Sequence, residues 1–142
     1  MNKQVLDKFK SVLRKENFKL TPQRICVLEE VMKDLGHRES EEIFLSINKK
    51  RDKVSRATTY RTLDILVKYN FIRKLNLGNG RAKYEVKINS HHHDHMICNR
   101  CSKIIEFVDP VIEKQQDIVA KKYNFVLESH IHQLFGMCSD CQ

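Results

Sequence analysis

Apolar positions near the start of the chain recur with helical spacing. Val5, Leu6, Phe9, Val12 and Leu13 fall on one face of a 3.6-residue period, which predicts an amphipathic helix over residues 3–16. Thr21 followed by Pro22 marks a second helix start, a hydroxyl to cap free amides and a proline at the first helical position. Ile25, Leu28, Val31 and Met32 supply the buried stripe of that helix. Ser40, Glu41 and Glu42 open a third, since carboxylates in the first turn complement the helix dipole; Ile43, Phe44 and Ile47 form its apolar face. A fourth helix is predicted from Ser55 through SRATTYRTLDILVKYN. Its apolar residues Leu63, Leu66 and Val67 lie towards the C-terminal end, whereas Arg56, Thr58, Thr59, Tyr60 and Arg61 fill the first two turns. FIRKLNLGNGRAKYEVKI then reads as two strands joined at Gly78-Asn79-Gly80, whose glycines allow the positive φ of a tight hairpin. Helices followed by a hairpin predict a winged helix-turn-helix.

The pattern changes after residue 90. HHHDHMIC and KIIEFV read as strands, DPVIEKQQDIVAKKY as a helix capped by Asp109 with Pro110 in its first turn, and NFVLESHIHQLF as another strand. The expected fold class is α+β, with a winged-helix domain over residues 1–88 and a small α/β domain over residues 89–142. A unit of about fifty residues is near the size at which a metal ion is often recruited as a staple.

Charge separates the same two halves. The chain of 142 residues carries a net +8, with 21 Lys and Arg against 11 Asp and Glu up to residue 90, and 5 against 7 beyond it. A basic front half suits a polyanion such as nucleic acid. No run of about 20 apolar residues is present, which excludes a membrane-spanning helix. The N-terminal stretch alternates charged and apolar residues without a signal peptide's apolar centre, so a cytoplasmic protein is expected. Five cysteines in a reducing compartment then point to metal or redox chemistry rather than disulfides.

Cys98-x-x-Cys101 and Cys138-x-x-Cys141 stand 36 residues apart. Each pair can form a knuckle presenting two thiolates, and two knuckles complete a tetrahedron around Zn(II). Four sulfurs leave no open coordination position, so the expected role is structural. Two redox dithiols or an iron–sulfur cluster are the alternatives. Cys26, within an apolar stripe, reads as a core residue.

The run HHHDHMICNRC, residues 91–101, is explained by strand geometry. In an extended segment over residues 91–97, His91, His93 and His95 point to one face while His92 and Asp94 point to the other. One strand thereby offers ligands to two separate metal sites. Imidazole with carboxylate suits Fe(II), Mn(II), Co(II) or Zn(II) without choosing among them. His37, Glu85, Glu106, Glu113, His130 and His132 are further candidate ligands that spacing alone cannot join to either face.

Taken in order, KLTPQR (19–24), SRATTYRTLDIL (55–66), KYEV (83–86), HHHDHMICNRC (91–101), KIIEF (103–107) and CSDC (138–141) resemble the ferric uptake regulator family over nearly the whole chain. The resemblance implies a homodimeric metal-sensing repressor of operator DNA, with an N-terminal winged helix and a C-terminal dimerisation domain. It implies a regulatory site of His37, Glu85, His93, His95 and Glu106, and a second site of His92, Asp94, Glu113 and His130. His91 and His132 match no family ligand. By the same resemblance Tyr60 and Arg61 contact bases or phosphates, and Lys19 enters an A·T-rich minor groove. Arg56, Thr58 and Thr59 share that first helical segment, and Arg24, Arg73 and Lys74 are candidate phosphate contacts.

The expected corepressor is Fe(II), with Zn(II), Mn(II) or Co(II) able to replace it. A peroxide sensor of the family would typically carry aspartates at Glu85 and Glu106, and a zinc sensor an extra cysteine near the wing. Zinc- or manganese-sensing repressors are therefore the alternatives, together with the peroxide sensor. An enzyme is not expected. A zinc deaminase needs His-x-Glu with Pro-Cys-x-x-Cys, and here Asp94 and Met96-Ile97 occupy that region.

Overall fold

The computed structural model describes residues 2–49, 53–78, 80–88 and 90–142. Two compact units divide the chain, Met1–Ser90 and His91–Gln142. Among the described residues the elements are mixed α and β, as the pattern predicts, and no helix is long and apolar enough to cross a membrane.

The first unit opens with α1 (Lys3–Lys15), α2 (Pro22–Lys33), the two-residue strand β1 (Arg38–Glu39), α3 (Ser40–Lys49) and α4 (Arg56–Lys68). The predicted starts are used as caps: Thr21 Oγ1 accepts from the Arg24 amide, and the Ser55 side chain accepts from the Thr58 amide. Strands β2 (Ile72–Asn76) and β3 (Ala82–Val86) form the hairpin, and β1 adds to β3, giving the order β1-β3-β2. At the turn Gly78 and Gly80 both have positive φ, 82° and 77°, which only glycine adopts freely; Asn79 lies outside the described residues. The core joins one face of each helix to the hairpin, with Phe9, Leu13, Val27, Leu28, Ile43, Ile47, Leu63, Leu66 and Phe71 sealed from solvent. Phe9 meets Phe71 edge to face at 6.0 Å.

Two carboxylates among the described residues of this unit are buried, Glu30 and Glu85. Glu30 Oε1 accepts from Arg38 Nη1 at 3.0 Å and from Ser46 Oγ at 2.7 Å, while Arg38 Nη2 donates to the Glu30 carbonyl at 2.7 Å. The carboxylate thus ties α2 to β1 and α3 next to His37. Glu30→Ala leaves the half-buried Arg38 guanidinium only Asp34, 3.2 Å from its Nε, and the residue-30 carbonyl as partners, and the loss is bounded above by the about 3–5 kcal/mol of breaking a fully buried pair. We expect a corresponding fall in urea midpoint for the first unit; an unchanged midpoint would show that the pair is dispensable.

The second unit contains β4 (Asp94–Cys98), β5 (Ile104–Phe107), α5 (Pro110–Lys122), β6 (Gln133–Gly136) and a 3-10 turn over Ser139–Cys141. The sheet order is β5-β4-β6, with β4 antiparallel to β5 and parallel to β6. Asp109 caps α5, its Oδ1 accepting from the amides of Val111 and Ile112.

Two predicted strands are shorter than expected. Strand structure begins at Asp94 rather than at residue 91, and the segment 124–132 carries none. The apolar residues that suggested a strand there, Phe125, Val126 and Ile131, stay exposed in the single chain. Helix α5 likewise buries no residue. Between them lies an apolar groove of about 560 Å³ lined by Ile112, Val119, Ala120, Tyr123, Phe125 and Leu127.

Candidate metal centres and nucleic-acid surface

Parallel pairing of β4 with β6 explains how the cysteine knuckles meet. Cys98 lies opposite Gly136 in the register, so both strands leave the sheet side by side just before their Cys-x-x-Cys turns. The sulfurs of Cys98, Cys101, Cys138 and Cys141 all lie within 4.8 Å of one another. Cys101 Sγ and Cys138 Sγ stand 3.6 Å apart. A tetrahedral Zn(II) with bonds of about 2.3 Å needs sulfur–sulfur edges of about 3.8 Å. Charge points the same way. The Cys98 thiol is held down to about 6 chiefly by the Cys101 and Cys138 amides, whereas Cys141 is pushed up to about 12 by the neighbouring thiols, Cys138 foremost. Burial raises Cys138 as well. Four thiolates cannot coexist here without a cation, and a cation of zinc's size and softness fits.

The alternation along β4 continues back through residues 92 and 93 despite the late start of the strand. On one face, His92 Nε2 lies 3.0 Å from His130 Nε2 and 3.2 Å from Glu113 Oε1. Asp94 Oδ1 is 3.6 Å from His92 Nε2 and 3.5 Å from His130 Nε2, and His130 Nε2 is 3.5 Å from Glu113 Oε1. A tetrahedral ion with bonds of about 2.0–2.1 Å has ligand–ligand edges of about 3.3 Å, inside this range. Asp94 is 2% exposed, and its Oδ2 has no hydrogen-bond partner.

On the other face the His93 and His95 rings meet edge to face at 4.9 Å. Glu106 lies directly across from His95 in the β4–β5 register, and its Oε2 is 4.0 Å from His93 Nε2. The His91 carbonyl is 3.0 Å from His93 Nδ1. That acceptor favours the Nδ1–H tautomer and would leave Nε2 as the nitrogen able to ligate an ion, with His91 taking part through its backbone. Within the first unit His37 Nε2 lies 2.8 Å from Glu85 Oε2, and Arg73 Nε is 3.2 Å from Glu85 Oε1. Arg73, a candidate phosphate contact by sequence, is therefore engaged beside a candidate ligand.

The first turns of α4 show which of the predicted DNA contacts are accessible. Arg56, Tyr60 and Arg61 are exposed, as is Lys19 ahead of α2, and Thr58 is half-buried. Thr59 is a correction. It is fully buried, and its hydroxyl donates to the Ser55 carbonyl at 3.1 Å, so it packs the helix and cannot touch a base. Glu41, at the start of α3, was not foreseen as a partner here. Its carboxylate accepts from Arg56 Nε and Tyr60 Oη, each at 3.1 Å, and lies below its ordinary range chiefly because of the Arg56 bond. No periodic pattern marks such a contact, because the two residues sit on separate helices.

Comparison with known proteins follows from these features. Residues 15–135 match the model of the "Ferric uptake regulator family". A "Ferric uptake regulation protein" of Campylobacter upsaliensis is 41% identical over 139 residues, covering 96% of this chain and 88% of that protein. The solved Helicobacter pylori ferric uptake regulator Fur, described as having three functional metal binding sites, is 38% identical with a TM-score of 0.86, covering 97% of this chain and 91% of that one. The ferric uptake regulator of Francisella tularensis solved with iron is 28% identical with a TM-score of 0.78, covering 87% and 94%. The chain belongs to the ferric uptake regulator family, whose members are metal-responsive transcription regulators that bind DNA and are not enzymes.

Proposed function

We propose that this protein is an Fe(II)-responsive repressor that binds double-stranded operator DNA as a homodimer in the cytoplasm. The carrying observation is that each unit gathers its own share of one ligand set: His37 beside Glu85 in the first, and His93, His95 and Glu106 around one face of β4 in the second. Two histidine nitrogens from the dimerisation half with further nitrogen and carboxylate donors form a borderline set suited to Fe(II). A cation taking ligands from both halves would act as a conformational ligand, favouring the arrangement that completes its shell. Cys98, Cys101, Cys138 and Cys141 hold structural Zn(II), and His92, Asp94, Glu113 and His130 form a second metal site.

Dimerisation is supported by the apolar residues that the single chain leaves uncovered in the second unit, including Val111 (74% exposed), Tyr123 (73%) and Val126 (82%). Exposed apolar surface of this extent ordinarily marks a protein interface. On DNA, Tyr60 and Arg61 would read the major groove from the N-terminal half of α4, with Lys19 and Arg56 on phosphates or the minor groove. Thr58 stays beside them as a minor contributor, its amide and hydroxyl being tied to Ser55.

The direct test is anaerobic DNA binding with Fe(II), Mn(II) and Zn(II) added separately to protein that keeps its structural zinc. Fe(II) should tighten operator binding most, and binding that ignores all three ions would end the proposal. Arg61→Ala should lower operator affinity about 10-fold or more, by the usual worth of a well-placed arginine contact. Fluorescence anisotropy against dimer mass and zinc content checks this; lost mass or zinc would make Arg61 a structural residue instead.

A further inference from the structure

His132 matches no ligand of the family, yet it stands against the most deeply buried carboxylate of the second unit. Its Nδ1 lies 3.4 Å from Asp94 Oδ2. Both atoms are buried and both lack a hydrogen-bond partner. A buried carboxylate oxygen accepts only, so the atom facing it must donate for either to be satisfied. The Nδ1–H tautomer of His132 does this with a small turn of the ring. The ring itself is held in place: the His132 carbonyl accepts from the His95 amide at 3.3 Å, and the ring packs edge to face on Phe107 at 5.8 Å. Phe107 is the residue opposite Asp94 on β5.

The two oxygens of Asp94 therefore have different neighbours. Oδ1 faces the His92 and His130 Nε2 atoms, and Oδ2 faces His132 Nδ1. His132 is not among the four residues whose ligand atoms gather within 4.8 Å. It acts on Asp94 from behind rather than beside the other ligands.

We propose that His132 is a positioning residue for the second metal site, donating Nδ1–H to Asp94 Oδ2 and so presenting Oδ1 as a single-oxygen ligand. The proposal rests on the reading of His92, Asp94, Glu113 and His130 as a metal site. It limits Asp94 to one oxygen beside the two histidine nitrogens, which favours four-coordinate Zn(II) over larger, oxygen-rich shells. Without His132, Asp94 Oδ2 is released to swing towards the ion or to be left unsatisfied, and either loosens the tetrahedral set.

The test is a titration of the full chain, its four-cysteine zinc in place, with Zn(II) and separately with Co(II), whose visible absorption reports coordination number. Glu113→Ala identifies the binding step that belongs to the second site. In His132→Phe that step should weaken about 10- to 100-fold, the usual cost of losing a partner that orients a ligand, and the Co(II) bands should lose tetrahedral intensity. In His132→Asn, whose side-chain amide can donate from near the Nδ1 position, most of the affinity and intensity should return. Wild-type behaviour of His132→Phe would overturn the positioning role while leaving the site intact. Equal and complete loss in His132→Phe and His132→Asn would overturn it in favour of direct ligation or a packing role. If no step responds to Glu113→Ala, the site itself is wrong and the proposal falls with it.

Discussion

Exchange of Cys138 for serine is expected to unfold the second unit while leaving the first folded. Three cysteines remain in such a variant, but the fourth corner of the tetrahedron is gone, and Cys138 is the sulfur that stands 3.6 Å from Cys101. Structural zinc contributes on the order of 10–16 kcal/mol in small metal-dependent domains, as much as or more than the whole stability of an ordinary domain. The second unit has little else to draw on. Few of its apolar side chains are buried in the single chain, chiefly Ile97 with Cys98 and Cys138, whereas the first unit owns a continuous core around Phe9, Leu28 and Phe71. Calorimetry should show one melting transition lost and one kept, with zinc content lowered; a variant that keeps both zinc and its melting profile would refute the clasp. Acid should have a similar effect. A thiol lowered from 9.0 to about 6, as Cys98 is, favours the folded cluster in full above its ordinary value and loses the whole advantage as pH falls from there through about 6. Zinc should therefore be released on acidification and taken up with proton release, chiefly from Cys138 and Cys141, whose thiols are raised.

The second large effect concerns regulation. Replacing His93 and His95 together with alanine should abolish the dependence of DNA binding on added metal. Couplings between two sites typically amount to about 5- to 150-fold in affinity, and the whole of that factor should disappear. Removing two of three second-unit ligands leaves Glu106 unable to hold an ion alone, while His37 and Glu85 keep their own 2.8 Å contact. The variant should retain its four-cysteine zinc, because Cys98 lies at the far end of β4 and its partners come from the turns that follow β4 and β6. Gel-shift titration reads the outcome, and a wild-type response to metal would sink the regulatory assignment.

Local chemistry written in short stretches was legible in the sequence. Thr21-Pro22, Ser55 and Asp109 announced helix starts because each carries its cap in one or two residues. The Cys-x-x-Cys pairs announced a four-sulfur site because both knuckles are local, and only their meeting needed the β4–β6 register. Strand alternation correctly separated His92 and Asp94 from His93 and His95. What spacing could not supply were contacts between elements. Glu41 reaching Arg56 and Tyr60, Glu30 holding Arg38, and His132 behind Asp94 all join residues distant along the chain. Thr59 was misplaced because a hydroxyl in a polar helical turn looks exposed until neighbouring helices cover it. The segment 124–132 misled for the opposite reason: its apolar residues suggested burial in a sheet, yet the single chain leaves Phe125, Val126 and Ile131 in solvent.

The alternation along β4 also bears on how such a chain can diverge. Side chains in a strand change face with every residue, so deleting one residue between His92 and His95 would trade the ligands of one site for those of the other. Point substitution can retune either site on its own, but a single-codon insertion or deletion in this stretch scrambles both at once. Residue count in this segment is therefore as much a part of both sites as the identity of His92, His93, Asp94 and His95.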